Sequence, residues 1–296
     1  MADTSEDRLD AAKGIEVIFE NNYPVISGLH TIHLRERNNH TIPNYKTYLV
    51  ASKSFRYFAR KYCEGIKVFS IKPSLLKYTN FSYPANYKEQ EKIVVFLTLI
   101  DKKINLVNRK IETLKKYKEG YSKAVIKSCS KNNTMLSSIC DITTGKLDAN
   151  AMSAQGKYKF FTCSREDYLI DTYAFDCEAI LVSGNGDVGL SKYYRGKFNA
   201  YQRTYVLHNF KRDPLFIQIC IDSQIKSVIR KETNKGAMPY IKLSTFDKLI
   251  IPDLAADKEK IVSANIKLLK NKEKLLTLEL EALSLIKKYL LNMLFI

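Results

Sequence analysis

The chain has 296 residues, of which 45% are hydrophobic and 27% are charged, a balance that is typical of a globular protein and excludes general disorder. Its 48 lysines and arginines outnumber 31 aspartates and glutamates, for a formal net charge of +17 at pH 7. Such a surplus favours a polyanionic partner, either a nucleic acid or an anionic membrane surface. A basic protein without such a partner is the alternative that composition leaves open.

The sequence shows no targeting or membrane-spanning segment. No apolar run reaches the roughly 18 residues of a spanning helix, and the acidic start MADTSEDRLD differs from a signal or transit peptide. The six cysteines show neither CxxC spacing nor a dense framework, so we interpret them as reduced thiols of a cytoplasmic protein. They are Cys63, Cys129, Cys140, Cys163, Cys177 and Cys220.

A long helix is predicted from about residue 88 to residue 128. Its apolar residues recur in alternating steps of four and three, which is the spacing of a coiled-coil seam. A helix of this length would extend about 60 Å and would need a partner to cover the seam. The seam consists of Ile93, Leu97, Ile100, Ile104, Val107, Ile111 and Leu114.

A second amphipathic helix is predicted from about residue 257 to the C-terminus, with Glu273 and Lys287 interrupting its apolar pattern. The segment between the helices is long enough for a domain that brings the chain back. The two helices can therefore pack as an antiparallel coiled coil within one molecule, although membership of a larger helical bundle fits the same periodicity. The apolar positions are Ile266, Leu269, Leu276, Leu280, Leu283, Leu290 and Leu294.

The chain contains a degenerate internal repeat with a spacing of about 168 residues. KEQEKIVVFL at 88–97 corresponds to DKEKIVSANI at 257–266, and VISGLHTIHL at 25–34 corresponds to FNAYQRTYVL at 198–207. Each repeat is predicted to be an α+β globule followed by a long helix. The predicted divisions are a first globule (1–87), the first helix (88–128), a second globule (129–256) and the second helix (257–296).

The first globule is expected to be truncated at its N-terminus. The second globule begins near Met135 and has about fifty residues before the strand-like EAILVS at 178–183, and the first globule has no counterpart of them. We therefore expect the second globule to be the complete one of the two.

The sequence lacks the context that an enzyme or cofactor site needs. GNGDVG at 184–189 satisfies GxGxxG, but β-formers follow it instead of a helix, so we interpret it as a tight loop between strands. TTGKLD at 143–148 lacks the upstream glycine of a phosphate-binding loop. His30 and His33 would point to opposite faces of a strand in LHTIHL, so they form no metal pair. We expect no catalytic residue, no metal and no cofactor.

Basic, aromatic and amide side chains are interleaved in the second globule, a pattern typical of surfaces that contact the phosphates and base edges of double-stranded DNA. Loops near Asn185 and Arg195 are expected to contact the DNA bases, because loops on a rigid scaffold are free to vary in sequence. Alternatively, Tyr193 and Tyr194 are ordinary strand residues with one ring buried. The candidate DNA-binding residues are Lys146, Asn150, Lys157, Lys159, Ser164, Arg165, Asn185, Lys192, Tyr194, Arg195, Gln202 and Arg203.

The chain as a whole resembles the specificity subunits of type I restriction–modification systems. The phrases that carry the resemblance are LSSICDITTGK (136–146), EAILVSGNGDVG (178–189), AYQRTYVL (200–207), NKGAMPYIKLSTFDKLIIP (234–252) and KEQEKI with the heptads that follow it to residue 120. The resemblance implies two target-recognition domains, the first incomplete, alternating with two helices of an antiparallel coiled coil. It also implies a non-catalytic protein that recognises a bipartite DNA target.

The resemblance further implies protein partners. They are a modification subunit, which methylates adenine with S-adenosylmethionine, and a restriction subunit, which translocates and cleaves DNA. Self-association through the coiled coil is a further expectation. Two other functions remain open: a truncated coiled-coil scaffold without DNA readout, and a stand-alone nuclease or methyltransferase.

Overall fold

The structure is a computed structural model that describes residues 1–18, 24–128, 133–233 and 238–295. It divides into two compact units, one made of Met1–Ile111 and Leu275–Ile296 and the other of Glu112–Lys274. Cys129, the predicted domain start at residue 129, and the NKGA of the phrase at 234–252 lie outside the described residues. No helix in the described part of the chain is long and apolar enough to cross a membrane.

The first unit consists of short elements beside the N-terminal part of a long helix. Its small core contains Ile32, Phe55, Ala59 and Ile71, and strands β1 and β2 pair antiparallel over two residues. In chain order the elements are β1 (Thr4–Ser5), α1 (Tyr45–Leu49), α2 (Lys53–Tyr62), β2 (Phe69–Ser70), a 3₁₀ helix (Pro73–Tyr78) and the start of α3 (Tyr87–Ser128).

The strand that LHTIHL suggested in the first unit is not formed. Among the described residues of that segment, an isolated bridge joins Thr31 to Ala2, while Ile26 and Leu29 are 90% and 92% exposed. A strand needs a neighbouring strand to satisfy its backbone, and the local alternation of apolar residues cannot supply one.

The second unit is built on a six-stranded sheet in the order β4-β9-β7-β8-β5-β6. All neighbours are antiparallel except β5 and β8, which are parallel. Helix α5 begins with Pro214 after the cap residue Asp213, whose carboxylate accepts from the Phe216 N–H at 2.7 Å. After α3 the elements in chain order are β3 (Asn133–Thr134), α4 (Leu136–Ile139), β4 (Asp141–Thr144), a 3₁₀ helix (Ala149–Ala151), β5 (Tyr158–Phe161), β6 (Tyr168–Ile170), β7 (Phe175–Ser183), β8 (Ser191–Ala200), β9 (Thr204–His208), α5 (Pro214–Glu232), α6 (Leu243–Phe246), β10 (Ile251–Pro252) and α7 (Ala256–Leu294), the last of which passes from the second unit into the first.

Each face of the sheet carries its own core. One face packs Ile180 and Leu207 against Ile217, Ile221 and Ile225 of α5. The other face buries aromatic and aliphatic side chains of β5, β7, β8 and β9. They are Phe161, Ala179, Leu181, Phe198, Ala200 and Val206. The sheet is therefore a rigid support for the loops at its ends.

Helices α3 and α7 pack against each other antiparallel. In the first unit, Leu97 near the start of α3 lies in one core with Phe295, just after the end of α7. In the second unit, Tyr121 and Val125 near the end of α3 pack on the core that holds Val262 near the start of α7. This arrangement confirms the predicted α+β fold with an antiparallel coiled coil, and the predicted seam is buried or half-buried throughout.

The two charged residues that interrupt the α7 seam are paired across the coiled coil. In the second unit the Glu273 carboxylate lies 2.5 Å from the Lys118 ammonium. In the first unit the Lys287 ammonium lies 2.5 Å from the Asp101 carboxylate. Because each interrupting charge faces an opposite charge on α3, the seam continues through both positions.

The internal repeat is visible in the order and spacing of the helices. Helices α1 and α3 begin at residues 45 and 87, and α5 and α7 begin at 214 and 256. Both starts in the second half therefore lie 169 positions after their counterparts. The identical letters EKIV at 91–94 and 259–262 are only 168 apart, so letter identity and structural equivalence differ by one residue.

Burial identifies the structurally equivalent residues as Gln90 and Glu259, each of which is a buried polar residue in the first turns of a long helix. The Gln90 amide accepts from the Ile42 N–H at 3.0 Å and donates to the carbonyls of His40 and Pro84 at 2.9 Å and 2.7 Å. In the first unit, the repeated phrase thus ties the long helix to the residues just before α1 and to Pro84, which lies just before α3.

Candidate nucleic-acid interface

The ends of several strands converge on the β8–β9 turn, residues 201–203 of the second unit. Three backbone hydrogen bonds connect this turn to the ends of β5 and β7 and to the β4–β5 connection (145–157). They are Tyr201 N–H to Phe161 O, Gln202 N–H to Leu147 O and Gly184 N–H to Arg203 O, each at 2.9 Å. Loops that are far apart in sequence are therefore neighbours here.

Two glycines permit this close approach of backbones. A Cβ at Gly145 would lie 2.0 Å from the Ala200 carbonyl oxygen, and one at Gly184 would lie 2.5 Å from the Arg203 carbonyl oxygen. Both distances are well inside van der Waals contact, so no larger residue fits without moving the chain. Gly145 of TTGK and Gly184 of GNGDVG therefore serve backbone packing.

The β7–β8 loop (184–190) is a tight connection between antiparallel strands, which confirms the interpretation of GNGDVG. Gly186 and Gly189 have φ of +60° and +77°, a backbone region that favours glycine. The Asp187 N–H donates to the Cys163 carbonyl at 3.1 Å. This bond joins the β7–β8 loop to the β5–β6 loop (162–167).

Half of the predicted DNA-binding residues lie on these converging segments. Lys146 and Arg203 are exposed, and neither belongs to an ion pair within the described ranges. The residues that the structure brings together are Lys146, Ser164, Arg165, Asn185, Gln202 and Arg203. Two of them carry unpaired positive charge and two carry side-chain amides.

Lys192 is placed next to this group but is turned inward. Its ammonium donates to the carbonyls of Arg165 and Glu166 at 2.8 Å and 3.0 Å and to the Asp167 carboxylate at 2.8 Å. The side chain is 21% exposed, and the ammonium lies 6.0 Å from the centre of the Phe161 ring. Lys192 thus holds the β5–β6 loop.

Asp167 is the acidic centre of this arrangement. The hydrogen bond from Lys192 holds the pKa of Asp167 below its ordinary value, and the charges of Lys192 and Lys159 act in the same direction against the effect of burial. Lys159 lies 3.4 Å from the same carboxylate. Arg165 points away, 82% exposed, with its Nε 3.5 Å from the Asp187 carboxylate.

Tyr194 and Arg195 are adjacent in β8 and project to opposite faces of the sheet. The Tyr194 ring lies 5.1 Å from the Phe161 ring and 5.7 Å from the Phe198 ring, within the core of one face. Arg195 is exposed and faces Glu178 across the ladder. The structure does not bring Arg195 to the β8–β9 turn.

Asn150 and Lys157 are exposed on the β4–β5 connection. That connection leaves the β8–β9 turn after Leu147 and reaches β6, where the Ser153 N–H donates to the Leu169 carbonyl at 2.8 Å. Both residues are therefore accessible, but they belong to a different part of the surface.

The sequence reasoning missed the acidic residues that neutralise part of the basic set. Asp167 pairs with Lys159 and Lys192, and Asp187 lies beside Arg165. Glu166 and Asp167 directly follow Arg165 in the sequence, and this adjacency was the available signal. Within the described part of the chain, no group of three metal-ligating side chains is assembled.

Comparison with known proteins places this arrangement in a family. Residues 131–281, just over half of the chain, match the model of the type I restriction modification DNA specificity domain. Over 108 residues the chain is 42% identical to the type I restriction enzyme EcoDI specificity subunit of Escherichia coli. The matched region is 36% of this chain and 24% of that subunit, so it spans about a quarter of the relative's length.

Two solved structures share the fold. The S subunit of a type I restriction–modification system from M. genitalium has a TM-score of 0.61 at 17% identity, over 88% of this chain and 74% of that one. A chain from a study of complex assembly and conformational transition of the type I R-M system has a TM-score of 0.57 at 12% identity, over 87% and 72%. The chain belongs to the family of type I restriction modification DNA specificity domains.

Proposed function

We propose that this chain is a sequence-specific DNA-binding specificity subunit of a type I restriction–modification complex, without catalytic activity of its own. The observation that carries the proposal is the convergence of loops on the β8–β9 turn. Lys146, Arg165 and Arg203 offer positive charge for phosphates or guanine edges. Asn185 and Gln202 offer amides of the type that pair with adenine in the major groove. The rigid sheet behind them holds these groups in place.

We propose further that the target is bipartite and that partner subunits perform the chemistry. Modification subunits would methylate adenine, and a restriction subunit would translocate and cleave the DNA. Support comes from the repeated spacing of the helix starts, with α1 and α3 in the first half and α5 and α7 in the second, which suits two recognition domains divided as 1–87 and 129–256. The long helices at 88–128 and 257–296 would act as a stiff spacer of about 60 Å. Self-association through the coiled coil is part of the same proposal.

The experiment is modified-base sequencing of DNA from a methylation-free host that expresses this chain together with a modification subunit of the same system. The expected result is methyladenine at a split motif, absent when either protein is omitted. The double variant Lys146→Gln/Arg203→Gln should reduce methylation, while Lys123→Gln, a change on α3 where Lys123 pairs with Glu119, should not.

Other outcomes of this experiment separate the alternatives. A symmetric motif would indicate two copies that each use the second domain. Stable co-purification without methylation would contradict DNA readout and favour a coiled-coil scaffold. Methylation or cleavage by the highly purified chain alone would instead support an enzyme.

A further inference from the structure

Lys192 has a role of its own at this surface, which rests on the proposed function of the same surface. A lysine ammonium has three N–H donors and no acceptor. The Lys192 ammonium has three acceptors within 3.0 Å, namely two loop carbonyls and the Asp167 carboxylate. No N–H is left for a phosphate or a base.

The position of Lys192 suits an anchor. It is the second residue of β8 and pairs with Leu181 in the central ladder of the sheet. The three groups that it binds follow one another at positions 165, 166 and 167 of the β5–β6 loop. A rigid strand therefore fixes three successive residues of a loop that has no ladder of its own.

The consequence falls on Arg165. Lys192 holds the carbonyl of Arg165, while the Arg165 guanidinium extends into solvent beside Asp187 of the β7–β8 loop. An arginine reads guanine through two parallel hydrogen bonds, which require a fixed direction of the guanidinium fork. A loose loop would keep the charge but lose that direction.

We propose that Lys192 is a positioning residue for DNA recognition: it does not touch DNA, and it holds the β5–β6 loop so that Arg165 reads a base edge. The charged groups that face the Lys192 ammonium are Asp167 on the same loop and, through Asp167, Lys159 on β5. Arginine cannot replace Lys192, because a planar guanidinium does not direct three donors to three converging acceptors.

The test uses the complex of this chain with its modification subunit, and duplexes that carry the methylated motif or single base-pair changes in it. Arg165→Ala identifies the positions that Arg165 reads. Lys192→Met is expected to lower the preference for the correct base pair roughly tenfold at those same positions. The dependence of binding on salt should stay as in the wild type, and Lys192→Arg should not restore the preference. The double variant Arg165→Ala/Lys192→Met should show the same preference as Arg165→Ala alone, because Lys192 acts only through Arg165.

A phosphate-contacting Lys192 would give the opposite pattern. Lys192→Met would then weaken binding to all duplexes equally and lower the salt slope by about 0.9, and Lys192→Arg would bind as the wild type does. If Lys192→Met does not fold, Asp167→Asn keeps both carbonyl contacts and should relax the same positions by a smaller factor; an unchanged preference there overturns the inference. If the wild-type complex methylates no motif, the proposed function is overturned together with the role of Lys192. If the wild-type complex methylates a motif and both Lys192→Met and Asp167→Asn keep its base preference, only the role of Lys192 is overturned.

Discussion

Glu259 shows how a single residue connects a long helix to the rest of the second unit. Its carboxylate is almost fully buried and accepts from the guanidinium of Arg212 and from the Asp213 N–H at 3.2 Å. Arg212 also donates to the Pro252 carbonyl at 2.6 Å. A buried pair of this kind gains little over apolar packing, but each partner becomes costly once the other is removed.

We therefore expect Glu259→Ala to lower the free energy of unfolding by about 3–5 kcal/mol, because the buried Arg212 charge keeps only the exposed Asp253 carboxylate, 3.9 Å away, as an acidic partner. Glu259→Gln should cost less, since its amide keeps an oxygen acceptor, as Gln90 has in the first unit. Urea unfolding of the purified chain measures both values. Equal stability of the alanine variant and the wild type would show that Glu259 does not secure this junction.

At the scale of the element, helix α3 carries leucines that differ in burial. Leu97 is fully buried in the core of the first unit with Tyr45, Ile93 and Phe295. Leu99 is 58% exposed, although it is only two positions away. Two residues correspond to more than half a turn of helix, so the two side chains lie on different faces.

The pair makes a matched test of the coiled-coil seam. Leu97→Ala is expected to cost about 2–5 kcal/mol through lost burial and a residual cavity. Leu99→Ala, with the same chemical change on the same helix, should stay within about 0.5 kcal/mol of the wild type. Chemical denaturation followed by helical circular dichroism measures both. Similar losses for the two variants would contradict the assignment of the buried face.

At the scale of the whole molecule, the count of 48 lysines and arginines overstates the positive charge that is free to contact DNA. Lys159 and Lys192 are engaged with Asp167, and Lys118 with Glu273. The composition counts these lysines equally with exposed, unpaired ones, but only the latter can exchange small counterions for phosphates.

Substitution of the unpaired charges at the β8–β9 turn should therefore change the salt dependence of DNA binding. Lys146→Gln and Arg203→Gln are each expected to weaken binding to all sequences and to lower the slope of log affinity against log salt by about 0.9. Lys123→Gln, which changes a lysine paired with Glu119 on α3, is the control and should keep the slope of the wild type. Fluorescence anisotropy with a labelled duplex at several salt concentrations measures the slopes, and a wild-type slope in both variants would exclude these residues as phosphate contacts.

Much of the architecture follows from local sequence pattern. The seam of α3 is encoded by steps of four and three that depend only on helical geometry, and the predicted helix of 88–128 is found at Tyr87–Ser128. The loop at 184–189 follows from glycines between β-forming stretches. The predicted family is confirmed by the specificity-domain match at 131–281.

The tertiary structure decided what depends on residues distant in the chain. It made Gln90 rather than Glu91 the counterpart of Glu259, because burial follows the face of a helix and not the identity of letters. It turned Lys192 inward, because the carbonyls that bind it belong to Arg165 and Glu166, which lie 27 and 26 residues earlier in the chain. Local periodicity determined the helices, whereas the convergence of loops on the β8–β9 turn required the long-range strand pairing of the sheet.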